Sequence, residues 1–239
     1  MSGENGNNTT TMIKTGKIIA LIIIQAFYTA CLNPVYAGDY KILINIPSRS
    51  LELSRNSQIL KTYSIGVGKS TFPTPIGDFK VISKVIQPGW ENPYKSAGKI
   101  RKKPGRKNPL GTRWIGFYED KIGIYGIHGT NEPSSVGKYS SHGCVRMQIK
   151  ESEDLFNKVD INTPVQVAYY THRVVIKGNN IIVYRYPHIY RRKLSPAGMI
   201  DKQLKSLDRK YIVNQKSLSK ALNLRAGQSV EIGRIIETQ

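Results

Sequence analysis

Cysteine is almost missing from this chain: Cys31 and Cys144 are the two among 239 residues. That scarcity leaves no material for a disulfide framework. Acidic residues are also few, 16 against 36 Lys and Arg, for a formal net charge of +20. No internal repeat is visible, which excludes a solenoid or propeller. What is present are short runs of β-forming residues between Gly and Pro clusters, the composition of a mainly-β globular protein and not of a disordered one. The length allows one well-packed domain with a smaller appendage.

Residues 1–37 read as a leader. Lys14 and Lys17 precede an apolar stretch from Ile18 to Leu32, and Val35-Tyr36-Ala37 offers a small-residue cleavage site, so the mature chain would begin at Gly38. The stretch is interrupted by Gln25 and is short for a membrane span. An uncleaved anchor is the alternative that would bring the membrane in as a partner. A lipoprotein attached through Cys31 is the other, although Tyr28 stands where an aliphatic residue is expected. Removing the leader takes away two lysines and one glutamate, so the exported part stays strongly cationic. Such a charge favours polyanionic surroundings. In an exported chain these are anionic cell-wall polymers and not nucleic acid, in a periplasm or cell wall. Cys144 then remains as a lone cysteine in an oxidising compartment and needs a reason of its own.

After the leader, Tyr40, Ile42, Ile44 and Ile46 alternate with other residues as a strand does, and Pro47 ends it. Leu51–Arg55 and Ile59–Val67 predict a hairpin, and Phe79–Ile86 predicts the next strand of an antiparallel sheet. From Gln87 to Arg113 the apolar period vanishes among prolines and basic residues, which predicts a long loop, either a solvated basic excursion or a flap over a substrate groove. Trp114–Tyr118 and Ile122–Ile127 return to strand character. Ile149, Leu155, Phe156 and Val159 recur at helical spacing, with acidic residues near the helix start, and Val165 and Val167 predict a closing strand. Residues 172–186 predict a hairpin around Gly178-Asn179-Asn180. Beyond Leu194, one or two short helices and a strand near Val230–Ile236 follow. The expected division is 1–37 leader, 38–170 main domain and 171–239 extension.

The reactive side chains gather in Ile127-His128-Gly129-Thr130 and, sixteen residues after His128, in Ser141-His142-Gly143-Cys144-Val145-Arg146. Cysteine attacks a carbonyl as its thiolate and needs a neighbouring base. A histidine at the end of an adjacent strand supplies one, while glycines allow close approach of backbone and leave peptide N–H groups to face an oxyanion. Taken singly, a cysteine is more often a small buried hydrophobe and a histidine a satisfied polar residue. Their joint occurrence among small polar neighbours is what points to chemistry. Metal binding competes, since His142 and Cys144 are two apart with His128 as a possible third ligand, and His172 and His188 lie further on.

These two segments resemble the signature of the L,D-transpeptidase catalytic domain family. Val67-Gly68-Lys69, Pro73-Thr74-Pro75-Ile76-Gly77-Asp78-Phe79 and Asn108-Pro109-Leu110-Gly111-Thr112-Arg113-Trp114-Ile115-Gly116 extend the resemblance in the same order over about residues 39–169. It implies a β-sandwich with a short helix beside the catalytic loop, followed here by a small hairpin and helical extension. Cys144 would be the nucleophile and His128 the proton donor and acceptor. His142 and Gly143 would line the oxyanion site with the Cys144 amide, and Tyr125, Gly129, Ser141 and Arg146 would contact substrate. Many relatives carry Asn where this chain has Arg146, and for Tyr125 a core aromatic at a strand end is the competing account. Pro187-His188-Ile189-Tyr190 also resembles a region that follows the catalytic domain in some members.

The activity so implied is 3→3 cross-linking of peptidoglycan tetrapeptide stems without metal or organic cofactor, with carbapenems as acylating inhibitors. Water or a protein amine as acceptor would make the same acyl-enzyme an L,D-carboxypeptidase or a protein-to-wall ligase. A non-catalytic cationic wall-binding protein is the alternative of another class.

Overall fold

The computed structural model describes residues 40–91, 101–105, 107–207 and 209–236. The expected leader, with its expected cleavage site, and Cys31 lie outside these. The strands of the first half are β1 (Tyr40–Asn45), β2 (Ser50–Arg55), β3 (Gln58–Ser64), β4 (Val67–Gly68), β5 (Gly77–Lys80), β6 (Ser83–Ile86), β7 (Trp90–Glu91) and β8 (Arg101–Lys102). Then come β9 (Arg113–Glu119), β10 (Ile124–His128), β11 (Tyr139–Ser141), β12 (Val145–Arg146), helix α1 (Ile149–Lys158) and β13 (Pro164–Ala168). The last part holds β14 (His172–Lys177), β15 (Asn180–Arg185), α2 (Pro196–Lys205), β16 (Tyr211–Val213), α3 (Gln215–Leu222) and β17 (Ser229–Ile235).

Two sheets form the sandwich, one ordered β3-β2-β1-β13-β5 and the other β12-β10-β9-β6. The period-two pattern of β1 sends Ile42 and Ile44 inward, joined by Leu51 and Leu53 from β2, and they meet Ile115, Phe117, Ile127 and Val145 from the second sheet. Helix α1 adds Leu155 and Phe156 to the same core. Its Asp154 accepts from Tyr63 Oη at 2.7 Å and Lys61 Nζ at 2.9 Å, tying the helix to β3. Lys158 bonds the same carboxylate, and the two lysines hold it well below the usual carboxylate range.

Three expectations change. The sheets are mixed, because β1 pairs β13, β10 pairs β12 and β11 pairs β4 in parallel. Phe79–Ile86 is two strands in two sheets, with Val81 and Ile82 as the crossing, so β5 pairs β13 while β6 pairs β9. The basic stretch after Gln87 contains a small hairpin, Trp90 opposite Lys102 and Glu91 opposite Arg101, where no apolar alternation announced one.

After β13 the chain builds a second apolar cluster from Val174, Ile181, Val183, Ile200, Leu204, Ala221, Ile232 and Ile235. It lies in a four-stranded sheet, β14-β15-β17-β16, with α2 and α3. This is more than the predicted hairpin, and β16 is an element the sequence did not reveal. Among the described residues no helix is long and apolar enough to cross a membrane.

Candidate active site

Parallel pairing of β10 with β12 sets Ile127 opposite Val145 and His128 opposite Arg146. Ile127 and Val145 are buried in the core. Alternation therefore turns His128, Gly126, Cys144 and Arg146 to the other face of the sheet. Cys144, one residue before Val145, falls beside Gly126, and His128 is two residues beyond Gly126 on the same face. The Gly126 peptide N–H reaches Cys144, so the cysteine adjoins the strand that carries His128.

His128 is 4% exposed. Its Nδ1 shares a short hydrogen bond with the Gly129 carbonyl. A carbonyl can only accept, so Nδ1 carries the proton and Nε2 presents its lone pair. Burial lowers the imidazole pKa to about 4, opposed by the Gly129 carbonyl and assisted by the Arg146 charge. The ring stacks on Trp114, centroids 5.8 Å apart and planes 19° from parallel. Trp114 lies flat because Gly126 leaves it room: a Cβ there would meet the indole at 2.6 Å.

Cys144 is partly exposed. Its protein surroundings push the thiol up from its ordinary range, against the pull of the Gly126 peptide N–H and the Arg146 guanidinium. Both shifts favour the uncharged forms, a thiol at Cys144 and a neutral imidazole at His128. Ser141 fixes the loop: its hydroxyl accepts from the Gly143 N–H at 3.0 Å and donates to the Cys144 carbonyl at 2.5 Å. This bond engages the Gly143 N–H inside the loop. Ser141 itself is 2% exposed and its hydroxyl is occupied in the same two bonds.

Gly143 has φ +113°, and a Cβ would lie 2.6 Å from Tyr125 Cε1. Tyr125 is partly buried against the core and stacks on Tyr118 at 5.7 Å, as a core aromatic at a strand end does. Gly129 touches the loop before β9: Gly111, at φ +64°, could not carry a Cβ without approaching the Gly129 Cα to 2.9 Å. His142 is exposed beside Phe72, ring centroids 4.8 Å apart, and burial with the charges of Lys69 and Arg146 lowers its pKa. Arg146 donates to Glu132 at 3.0 Å. Among the described residues no three His, Cys, Asp or Glu side chains converge as a metal site. His172 is buried in β14 and His188 lies in the segment after β15.

The sequence singled out Cys144 and His128 as candidates but passed over Gly126 and gave Trp114 no role. The Gly-x-His spacing on β10 was the available signal for Gly126, since alternation alone puts both on one face.

A sequence profile of the L,D-transpeptidase catalytic domain matches residues 39–167. The chain belongs to this family. YqjB of Bacillus subtilis, provisionally named an L,D-transpeptidase, is 39% identical over 144 residues, 57% of this chain and 74% of that protein. YkuD of the same organism, named likewise, is 35% identical over 132 residues, 55% of this chain and 68% of that one. L,D-transpeptidase 3 from Mycobacterium tuberculosis, a solved structure, aligns with TM-score 0.45 and 18% identity over 54% of this chain and 61% of that chain. The chain thus spans less than two thirds of that solved protein.

Proposed function

We propose that the protein is a peptidoglycan L,D-transpeptidase in which Cys144 is the nucleophile and His128 the base. What supports this reading is the hydrogen bond between Nδ1 of the buried His128 and the Gly129 carbonyl, which leaves Nε2 free to act as a base, on the strand whose Gly126 N–H reaches Cys144. The Cys144 thiol passes its proton to His128 Nε2 as sulfur attacks the carbonyl at the L-to-D bond of a tetrapeptide stem. The tetrahedral oxyanion is met by backbone N–H groups of the loop, the Cys144 amide first among them. Collapse forms the thioester and breaks the peptide bond, and His128 returns the proton to the departing D-alanine amine. A side-chain amine of a second stem, relieved of its proton by His128, attacks the thioester, frees the Cys144 thiol and closes a 3→3 cross-link.

The raised thiol and the lowered imidazole suit this order of events, because the proton moves only when a carbonyl is there to take the sulfur electrons. Gly129 holds the base and Ser141 holds the nucleophile segment. Arg146, near Cys144 and bonded to the exposed Glu132, is the cation available for a stem carboxylate. Acylation of Cys144 by carbapenems belongs to the same reading. So do residues 1–37 as a leader, a location in the cell envelope, and residues 38–170 as the catalytic unit.

Product analysis tests the acceptor. Residues 38–239 incubated with disaccharide-tetrapeptide, beside Cys144→Ala, are expected to yield cross-linked dimers in the wild type alone. Cysteine-dependent trimming without dimers would replace this reading with L,D-carboxypeptidase. No product in either sample would favour the cationic wall-binding protein.

A further inference from the structure

The segment after β15 turns back to the main core, where Ile189, Tyr190 and Leu194 pack. Tyr169, just past β13, receives it. The Tyr169 hydroxyl accepts from the backbone N–H groups of both Ile189 and Tyr190 at 2.8 Å, and its ring stacks on Tyr190 with centroids 5.2 Å apart. So held, the Tyr190 hydroxyl enters the turn from Gly68 to Thr74. It donates to the Gly68 carbonyl at 2.8 Å and accepts from the Thr74 N–H at 3.0 Å. Within the turn, the Gly68 N–H donates to Thr74 Oγ1 at 2.9 Å, so Tyr190 completes a closed ring of hydrogen bonds.

This turn is the wall behind the nucleophile. The Lys69 N–H donates to the Ser141 carbonyl at 3.1 Å, and the Phe72 ring meets His142. The Pro73 carbonyl stands 3.3 Å from where a Cβ on Gly143 would be. The turn therefore touches three consecutive residues before Cys144, and the tyrosine that fixes it comes from beyond residue 167, where the match to the catalytic domain ends.

We propose that Tyr190 is a positioning residue for the Cys144 loop, its hydroxyl bracing the Gly68–Thr74 turn against Ser141, His142 and Gly143. The segment following the catalytic domain is thereby part of the active site. The inference rests on Cys144 being the nucleophile.

Tyr190→Phe keeps the ring and its stacking and removes only the hydroxyl. Single-turnover thioester formation on Cys144 from tetrapeptide stem, followed by intact mass in the full mature chain, is the readout, with thermal unfolding measured on the same samples. Tyr190→Phe is expected to slow acylation by about tenfold to a hundredfold, the scale of a small misplacement of reacting groups, with substrate half-saturation and melting temperature little changed. Tyr169→Phe, which releases the two N–H groups and not the hydroxyl, is expected to slow the same step in the same sense. Acylation in Tyr190→Phe as fast as in wild type overturns the proposal, and so does a slowing that only follows loss of folded protein in both variants. A wild type that forms no Cys144 thioester overturns the functional reading with it, whereas equal rates in an active wild type leave that reading standing.

Discussion

The Gly129 carbonyl dictates which nitrogen of His128 keeps the proton, which suits the base proposed for it. The lowering of its pKa to about 4 has a sign that can be worked out. An unfolded imidazole titrates near ~6.5, so between about 4 and 6.5 the unfolded chain binds more protons than the folded one. Stability from this group is complete above pH 6.5 and is lost as pH falls toward 4. His172, lowered to about 4 by burial, acts in the same window and the same sense. For catalysis the consequence is that His128 stays neutral in weakly acidic solution. The acid limb of the rate of Cys144 acylation is expected well below pH 6, tracking the pKa of about 4 where the protein stays folded. A limb centred near the ordinary histidine value would show that the imidazole is solvated and that the burial argument fails. Cys144 and His128 were legible as residues because few other reactive side chains compete with them. Trp114 and Gly126 were not, since one is an aromatic in a strand that only the register sets opposite His128, and the other is a glycine among twenty-one.

Elements were legible where one face is core and the other is not. Strand β1 alternates cleanly, and α1 follows from Leu155 and Phe156 with Glu151 at its start. Where the pattern says little, the reading went astray. Phe79–Ile86 looks continuous, yet the chain changes sheets at Val81, because apolar alternation is the same on either side of a crossing. Parallel pairs such as β1 with β13 join residues more than a hundred positions apart, and no local signal records that. The connection before β9 shows how a loop can matter to the base: Gly111 presses on Gly129, whose carbonyl orients His128. Gly111→Ala forces a side chain into a left-handed position and into that contact. It is expected to cost more than about 1 kcal/mol in stability and to slow acylation by at least about tenfold. Thermal unfolding and single-turnover rates both at wild-type values would show that the Gly111–Gly129 contact is slack.

At the scale of the whole molecule, two apolar clusters are joined by polar ties at their border. Arg173 of β14 pairs with Glu52 of β2 at 2.7 Å, with both side chains largely covered, 16% and 15% exposed. An exposed pair contributes roughly 0–1 kcal/mol, but removing one partner of a covered pair strands the other charge and costs more. The Asn45 side chain adds a second tie, accepting from the Tyr170 N–H at 2.8 Å. These ties, like those of Tyr169 and Tyr190, hold the chain beyond β13 against the sandwich that carries the Cys144 loop. The net charge of +20 favours polyanionic surroundings and says nothing of the chemistry, which is proposed for one strand pair and one turn. The most direct test of the central claim is therefore a covalent one. Mature protein mixed with a tetrapeptide stem and quenched early is digested and searched by mass spectrometry for the acylated peptide. The account predicts a stem lacking its terminal D-alanine bound to Cys144, slowed severely in His128→Gln. A stem attached to another residue, or turnover undiminished in Cys144→Ala, would contradict it.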